Sequence, residues 1–348
     1  MRSKKPKILC FANIPVEGQE RSIGGATVLA KNILEFIKQD DRIDVKHTQI
    51  RFFWRNKLQL IDYFLWLFRF PFSIRKMDVI SFHGTKDFHF IIAPFLWLWA
   101  KLFNKKVIYH FFGGNFHEQY QELPKIARQV IKNTILKSDY IFLETIEMID
   151  FFKKENIKNI HWLPNSRKPI SKNLTSKNFS KRFVFISRVI PEKGINELIK
   201  AAINLPNEYC IDIYGPIDDR HYKGDFFNDK KVNYKGLLIP EEVLNVLSSY
   251  DVLLLPSYFK GEGYPGIIIE SLALGIPVIT TNWKALPEII TNNINGILID
   301  IKNEKQLEEA ILFFNEDNYT LFREKTFKSF QQFSSDVVFN KIIDSYLN

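Results

Sequence analysis

The stretch Tyr258–Thr280, YFKGEGYPGIIIESLALGIPVIT, decides how the chain is read. It starts as a glycine-rich turn, runs through three isoleucines and ends on a short β-branched run, so a loop, a helix and a strand follow in quick succession. Pro265 suits the first helical position and Gly263 gives the chain freedom just ahead of it, which predicts a helix from about Pro265 to Leu274. Glu270 then sits inside an apolar run, where an unpaired carboxylate costs on the order of several kcal/mol. It must either point out of the core or hold a ligand. The free N–H groups at the start of this helix, together with its dipole, favour an anion, most often phosphate. Glu262 lies just before that start and Glu270 roughly 7–8 Å along the helix at ~1.5 Å per residue. That distance resembles the span of a nucleotide sugar from sugar to ribose, and each carboxylate has two oxygens with which to accept from vicinal hydroxyls.

On both sides of this stretch, short apolar runs alternate with helical ones, the pattern of parallel α/β layers. In the first half the strands are read at KILCFANI, DVISFHG, KVIYHFFG, DYIFLE and IHWLPN, and a helix follows SIGGAT with Val28, Ile33 and Ile37 on one face. The second half restarts at RFVFIS and continues through CIDIYG, VNYKG, VLLLPS, PVITT and NGILID. A length of 348 residues suits two domains. The boundaries read as 1–165, a polar linker at 166–181, a second domain at 182–333, and a C-terminal helix at 334–348 that returns toward the first domain. Two such layers joined by a linker imply a ligand cleft between them, with sites in the loops at the carboxyl ends of the strands.

With 46% hydrophobic and 25% charged residues, the composition excludes a disordered chain. Cys10 and Cys210 share no metal-like spacing and read as buried, reduced thiols of a cytoplasmic protein. The N-terminal apolar run is short and broken by Asn13 and Pro15, so it reads as a first strand rather than a signal peptide. FHFIIAPFLWLWAKLF is too short to span a bilayer and holds His89, Pro94 and Lys101, so no transmembrane helix is expected. Residues 1–170 carry 28 Lys and Arg against 16 Asp and Glu, while 171–348 carry 20 against 23. In the basic half, RFFWRNKLQLIDYFLWLFRFPFSIRK and FLWLWAKLFNKK interleave cations with aromatics. This fits an anionic membrane surface, and equally a pair of core helices with solvated basic faces. No helix-turn-helix, zinc-finger or RNA-binding signature accompanies the charge, so nucleic acid is not an expected partner.

A diphosphate also needs cations. SRVIPEKG supplies Arg188 and Lys193 after the first strand of the second half, followed by Gly194, and SIGGAT places Gly24 and Gly25 at a helix start in the first half. Each is weak alone, but in this order and spacing the whole chain resembles the retaining GT-B glycosyltransferases of glycosyltransferase family 4. The matching residues are Gly24–Gly25, the SRVIPEKG loop, Gly215 after CIDIY, EGYPGIIIE as an E-x7-E motif, and the LALGIPVITT and LPEII that follow it.

The resemblance implies a GT-B fold, two Rossmann-like α/β/α domains facing each other across a cleft. It also implies a hexosyltransferase-class enzyme that moves a sugar from a nucleotide-diphosphate sugar to a glycan or polyprenyl-diphosphate-linked acceptor. The expected setting is bacterial surface polysaccharide assembly (O-antigen, capsule or lipopolysaccharide), in the cytoplasm or peripherally on the inner face of its membrane. Catalytic roles fall to Arg188, Lys193 and Glu262. Donor binding falls to Gly24, Gly25, Gly215, Gly263, Tyr264, Pro265, Gly266 and Glu270, with Glu270 on the ribose. His83, His110 and Asn165 are acceptor or sugar contacts. No metal or cofactor is expected, the nucleotide sugar being a co-substrate, and no Asp-x-Asp occurs in the chain. The chain departs from the family at Phe112–Gly113, where a histidine often precedes the glycine, and at Lys284–Ala285, where many relatives carry two glycines. A nucleotide-sugar epimerase and a non-catalytic GT-B-fold subunit are the alternatives. Arg188, Lys193 and the paired glutamates favour transfer.

Overall fold

A computed structural model describes residues 5–348 except 20, 21, 23, 55–57, 171–173, 175, 224 and 229, and the side chain of residue 59. Position 23 of the glycine-pair loop, 55–57 of the basic aromatic segment, and 171–173 and 175 of the polar segment therefore lie outside the described residues. The chain forms two compact units, one of residues 1–164 with 336–348 and one of residues 165–335.

The first unit runs β1 (Lys7–Ala12), α1 (Gly25–Ile37), β2 (Asp44–Gln49), α2 (Gln59–Ile74), β3 (Val79–Gly84), α3 (Lys86–Ile91), α4 (Ala93–Leu102), β4 (Lys106–Phe111), α5 (Phe116–Glu122), α6 (Lys125–Asn133), β5 (Tyr140–Leu143), α7 (Ile146–Lys154) and β6 (Ile160–Trp162). Its six strands pair in parallel in the order β2-β1-β3-β4-β5-β6. Side chains alternate across the sheet as the two-residue period requires. Leu9 and Phe11 of β1 enter an aromatic core with Tyr63, Trp66 and Phe70 of α2, while Ile8, Cys10 and Ala12 pack on α1 and on Val338, Phe339 and Ile342 near the C-terminus. Burial pushes the Cys10 thiol up to about 12, so it is an inert core residue.

The second unit runs β7 (Arg182–Ile186), α8 (Ile195–Ile203), β8 (Cys210–Tyr214), β9 (Asn233–Gly236), α9 (Val243–Ser248), β10 (Val252–Leu255), α10 (Gly266–Ala273), β11 (Val278–Thr281), α11 (Leu286–Ile289), β12 (Gly296–Ile299), α12 (Glu304–Phe313) and α13 (Glu316–Ser329); α14 (Ser335–Leu347) ends the chain. These strands are also all parallel, in the order β12-β11-β10-β7-β8-β9.

Three sequence expectations change. Cys210 is only partly buried, because it begins β8 near the edge of its sheet. β2 was not among the expected strands. The expected linker is not a bare tether: Arg167 bridges to Ser334 through the backbone, and its side chain bonds Glu270. Among the described residues, no helix is long and apolar enough to cross a membrane.

Candidate active site

The strand order of the second sheet reverses between β7 and β10, with β8 and β9 built to one side and β11 and β12 to the other. Loops leaving the carboxyl ends of β7 and β10 diverge there, and ligands of open α/β sheets bind in the crevice this leaves. Arg188, Lys193 and Glu262 lie on these two loops. Lys193, from the β7 loop, donates from Nζ to Glu262 Oε2 of the β10 loop at 2.6 Å, and each side chain is only 7% exposed. The Ser257 hydroxyl donates to the same carboxylate oxygen. Arg188 is exposed, with its guanidinium carbon 5.0 Å from the centre of the Phe259 ring; Lys193 Nζ lies 5.2 Å from that ring.

Backbone contacts fix this group. The Tyr258 amide donates to the Glu192 carbonyl at 2.7 Å, tying one loop to the other, and the Trp283 indole donates to the Phe259 carbonyl at 3.0 Å. Two glycines allow the close approach. Gly194 has φ of 81° and a Cβ there would lie 2.2 Å from the Pro256 carbonyl oxygen; Gly215 has φ of 137° and its Cβ would lie 1.8 Å from that of Ser187. Gly215 thus serves the site by letting the end of β8 close on the end of β7.

Burial holds the Lys193 pKa below the usual lysine range, opposed by Glu262 and reinforced by the charge of Arg188. Arg188 and Lys193 both lie over the Phe259 ring, and of the two only Lys193 is paired with Glu262, so the corner offers positive charge. An incoming anion is drawn to that charge, and the desolvated setting strengthens the attraction.

Helix α10 begins at Gly266 with Pro265 as its extended N-cap, one residue later than the sequence predicts, and ends at Ala273. Glu262 lies in the loop before it and Glu270 on it. Glu270 is paired with a residue distant in sequence: Arg167 Nε donates to Glu270 Oε1 at 2.6 Å. The Arg167 guanidinium lies so close to the start of α10 that a Cβ on Gly266 would sit 1.7 Å from Nη2. A side chain at position 266 would displace the Arg167 guanidinium from this place. Asn165 holds this arginine, accepting from Nη1 on Oδ1 at 2.9 Å while its amide donates to the Tyr264 carbonyl at 2.8 Å. Both ends of the Asn165 side chain are thus engaged in positioning Arg167 and the α10 turn. Tyr264 is buried and donates its hydroxyl to Glu288 at 2.6 Å, which links the E-x7-E motif to the LPEII segment. Lys284 adopts a φ of 50°, the left-handed region that favours glycine, where the family pattern has one.

In the first unit, Gly24 and Gly25 stand at the N-terminus of α1, and the Thr27 hydroxyl accepts from the Gly24 amide at 3.0 Å. A Cβ on either glycine would meet no atom of the described residues within 4 Å, so packing among them does not dictate their identity. His83 and His110 are cross-strand neighbours on β3 and β4, with ring centres 5.5 Å apart, and both pack on Phe112. Both are buried. Burial drives the His83 pKa down to about 3 and that of His110 well below the ordinary value, so both rings are neutral near pH 7. His83 Nε2 pairs with Ser81 Oγ at 2.9 Å, and the Tyr346 hydroxyl donates to that serine at 2.9 Å. The Nδ1 atoms of both histidines have no hydrogen-bond partner among the described residues. Among those residues, no group of three or more His, Cys, Asp or Glu is placed to hold a metal ion.

Residues 166–329 match the family model of glycosyl transferases group 1. The matched residues span nearly the whole of the second unit. Over 136 residues the chain is 28% identical to N,N'-diacetylbacillosaminyl-diphospho-undecaprenol alpha-1,3-N-acetylgalactosaminyltransferase of Campylobacter jejuni, a match covering 38% of the chain and 35% of that enzyme. It is 20% identical over 323 residues to an uncharacterized glycosyltransferase of Methanocaldococcus jannaschii, covering 84% of the chain and 81% of that protein. The chain thus matches little more than a third of the length of the first relative and four-fifths of the second. Among solved structures it is similar to Anabaena HepE in complex with UDP, with a TM-score of 0.71 at 14% identity, covering 98% of the chain and 99% of HepE. The fold is GT-B.

The sequence anticipated Arg188, Lys193 and Glu262, and the structure brings the three together. It missed Arg167, Ser257 and Phe259. Arg167 carried one signal, its place two residues after Asn165, but the polar composition of the segment masked it. Ser257 and Phe259 had no signal beyond lying in the loop after an apolar strand.

Proposed function

We propose that the protein is a retaining glycosyltransferase that moves a sugar from a nucleotide-diphosphate sugar to a glycan or lipid-linked acceptor in the assembly of a bacterial surface polysaccharide. The observation that carries this reading is the buried Lys193–Glu262 pair with Arg188 stacked beside it on Phe259, at the switch point of a group 1 domain. The Campylobacter relative, named for a diphospho-undecaprenol substrate, supports a lipid-linked acceptor.

In this reading Arg188 and Lys193 bind the donor diphosphate and stabilise the charge that develops as the bond from the sugar C1 to the phosphate oxygen breaks, with no metal needed for that purpose. The acceptor oxygen bonds to C1 on the face the phosphate leaves, and its proton passes to the departing phosphate oxygen. Glu262, held by Lys193 and Ser257, accepts from a sugar hydroxyl. Glu270 accepts from the ribose; a carboxylate has about four lone-pair sites and Arg167 occupies one. The first unit receives the acceptor near His83 and His110, whose neutral rings can each donate one N–H.

The test is turnover with a panel of nucleotide sugars, including acceptors bearing a polyprenyl diphosphate, with the product read by proton NMR. The expected result is nucleoside diphosphate release from one donor and a new linkage with the anomeric configuration of that donor. An inverted linkage would contradict the retaining assignment, and free sugar as the sole product would contradict transfer.

A further inference from the structure

Helix α2 is apolar on every side, yet it is not buried on every side. Its inward face, Tyr63, Trp66, Phe70 and Ile74, enters the aromatic core of the first unit. Its outward face exposes Leu60, Ile61, Phe64, Phe68 and Phe72, the three phenylalanines being 60%, 61% and 67% accessible. A helix in water ordinarily places polar residues there. Spacings of four residues put the three phenylalanines in one row, about 12 Å long at ~1.5 Å per residue. Helix α4, which packs against α2, exposes Phe95, Leu98 and Leu102 as well. A second element extends the face: the backbone amides of Phe52 and Phe53 both donate to the buried Asp62 carboxylate of α2 at 3.1 Å, which fixes two further exposed phenylalanines beside the helix.

Along the helix itself the exposed charges have one sign. Between residues 58 and 77 the exposed charged side chains are Arg69, Arg75 and Lys76, and the single acidic residue, Asp62, is buried. Arg75 lies 4.9 Å over the Phe72 ring. Exposed phenylalanines edged by cations, with no exposed carboxylate among them, match a bilayer surface in which phosphates meet the cations and acyl chains receive the rings. A second copy of the chain would instead bring the same cations face to face.

We propose that the outer face of α2 docks the protein on an anionic lipid surface, with Phe64, Phe68 and Phe72 entering the interface and Arg69, Arg75 and Lys76 contacting headgroup phosphates. This goes beyond the proposed reaction and is read without it.

The experiment is co-sedimentation of the full chain with vesicles of phosphatidylcholine alone or with about 30 mol% phosphatidylglycerol, the anionic lipid supplying the surface potential. The wild-type protein is expected to partition onto the anionic vesicles and to lose most of that binding at high salt. The variant Phe64→Ser/Phe68→Ser/Phe72→Ser should lower the partition coefficient at least about thirtyfold, since each exposed ring contributes apolar burial. Arg69→Glu/Arg75→Glu, which leaves the core contacts of α2 in place, should abolish the preference for anionic over neutral vesicles. Binding that neither variant changes overturns the proposal, as does absence of binding. A concentration-dependent dimer that the triple serine variant converts to monomer, with no vesicle binding, would assign the face to self-association. Nucleotide binding should be the same in wild type and both variants, so loss of membrane docking and failure of the donor-site reading give different results.

Discussion

Replacing Lys193 by alanine is expected to lower kcat for sugar transfer by about 10²–10³, the usual cost of removing one preorganised group that meets charge developing in a transition state. The donor KM should change far less, because in the proposed site Arg188 and the start of α10 still hold the diphosphate. The variant also loses stability. Lys193 is buried against Glu262, and breaking a buried pair from one side leaves a desolvated charge at a cost of about 3–5 kcal/mol. The two effects separate in the double variant Lys193→Met/Glu262→Gln. Removing both charges should restore most of the lost stability, as apolar or neutral replacements of buried pairs commonly do, while transfer stays slow. If the double variant regained activity along with stability, the pair would be a structural tie alone. Arg188→Ala is the contrasting case: the exposed guanidinium contributes little to the fold, so a loss of transfer there should come with a nearly unchanged unfolding midpoint.

Acidification should destabilise the first unit well before the second. Six of the seven histidines lie in residues 1–164, and three of them, His83, His89 and His110, are deeply buried. Burial lowers the pKa of His83 and of His89 to about 3 and that of His110 well below its ordinary value. Their neutral forms are the folded forms, so the contribution is fully present above the unfolded value near 6.5. It is lost as pH falls toward the folded values, because the unfolded chain binds protons that the folded unit refuses. One pH unit below 6.5, each buried neutral histidine costs on the order of 1 kcal/mol. Hydrogen exchange by mass spectrometry at pH 7.5 and 5.5, with intrinsic rates corrected for pH, should show protection falling in peptides from β1, β3 and β4 and holding in those from β7 and β10. Equal loss in both units would contradict the histidine origin.

Most of the architecture was legible because buried parallel strands are written as short β-branched and aromatic runs. RFVFI, CIDIY, VLLL and VITT each became a strand within a residue or two of the expected position. β2 was not legible for the converse reason: DVKHTQ forms an edge strand whose residues are exposed or half-buried, so it carries little apolar signal. The site divides in the same way. Lys193, Glu262 and Arg188 stand out as charged residues in loops after apolar strands, where cost or function must explain them. Arg167 did not stand out, because a cation among Asn, Ser, Lys and Pro looks solvated until the fold places Glu270 beside it. That pairing depends on residues about a hundred positions apart, which local composition does not record. The exposed row on α2 was hidden too, since Phe64 and Phe70 look alike in sequence and only packing separates the outward ring from the core one.

We propose that the β7 and β10 loops of the second unit, with the start of α10, form a nucleoside diphosphate site. The most direct measurement is calorimetric titration of uridine, guanosine and adenosine diphosphates into the wild-type protein and its Glu270→Ala variant, in the presence of a chelator. One of the three is expected to bind the wild type without added metal, and the variant to bind it at least roughly tenfold more weakly, a difference of about 1.4 kcal/mol. Absence of binding by all three to the folded protein, or equal binding by the variant, would contradict the proposal.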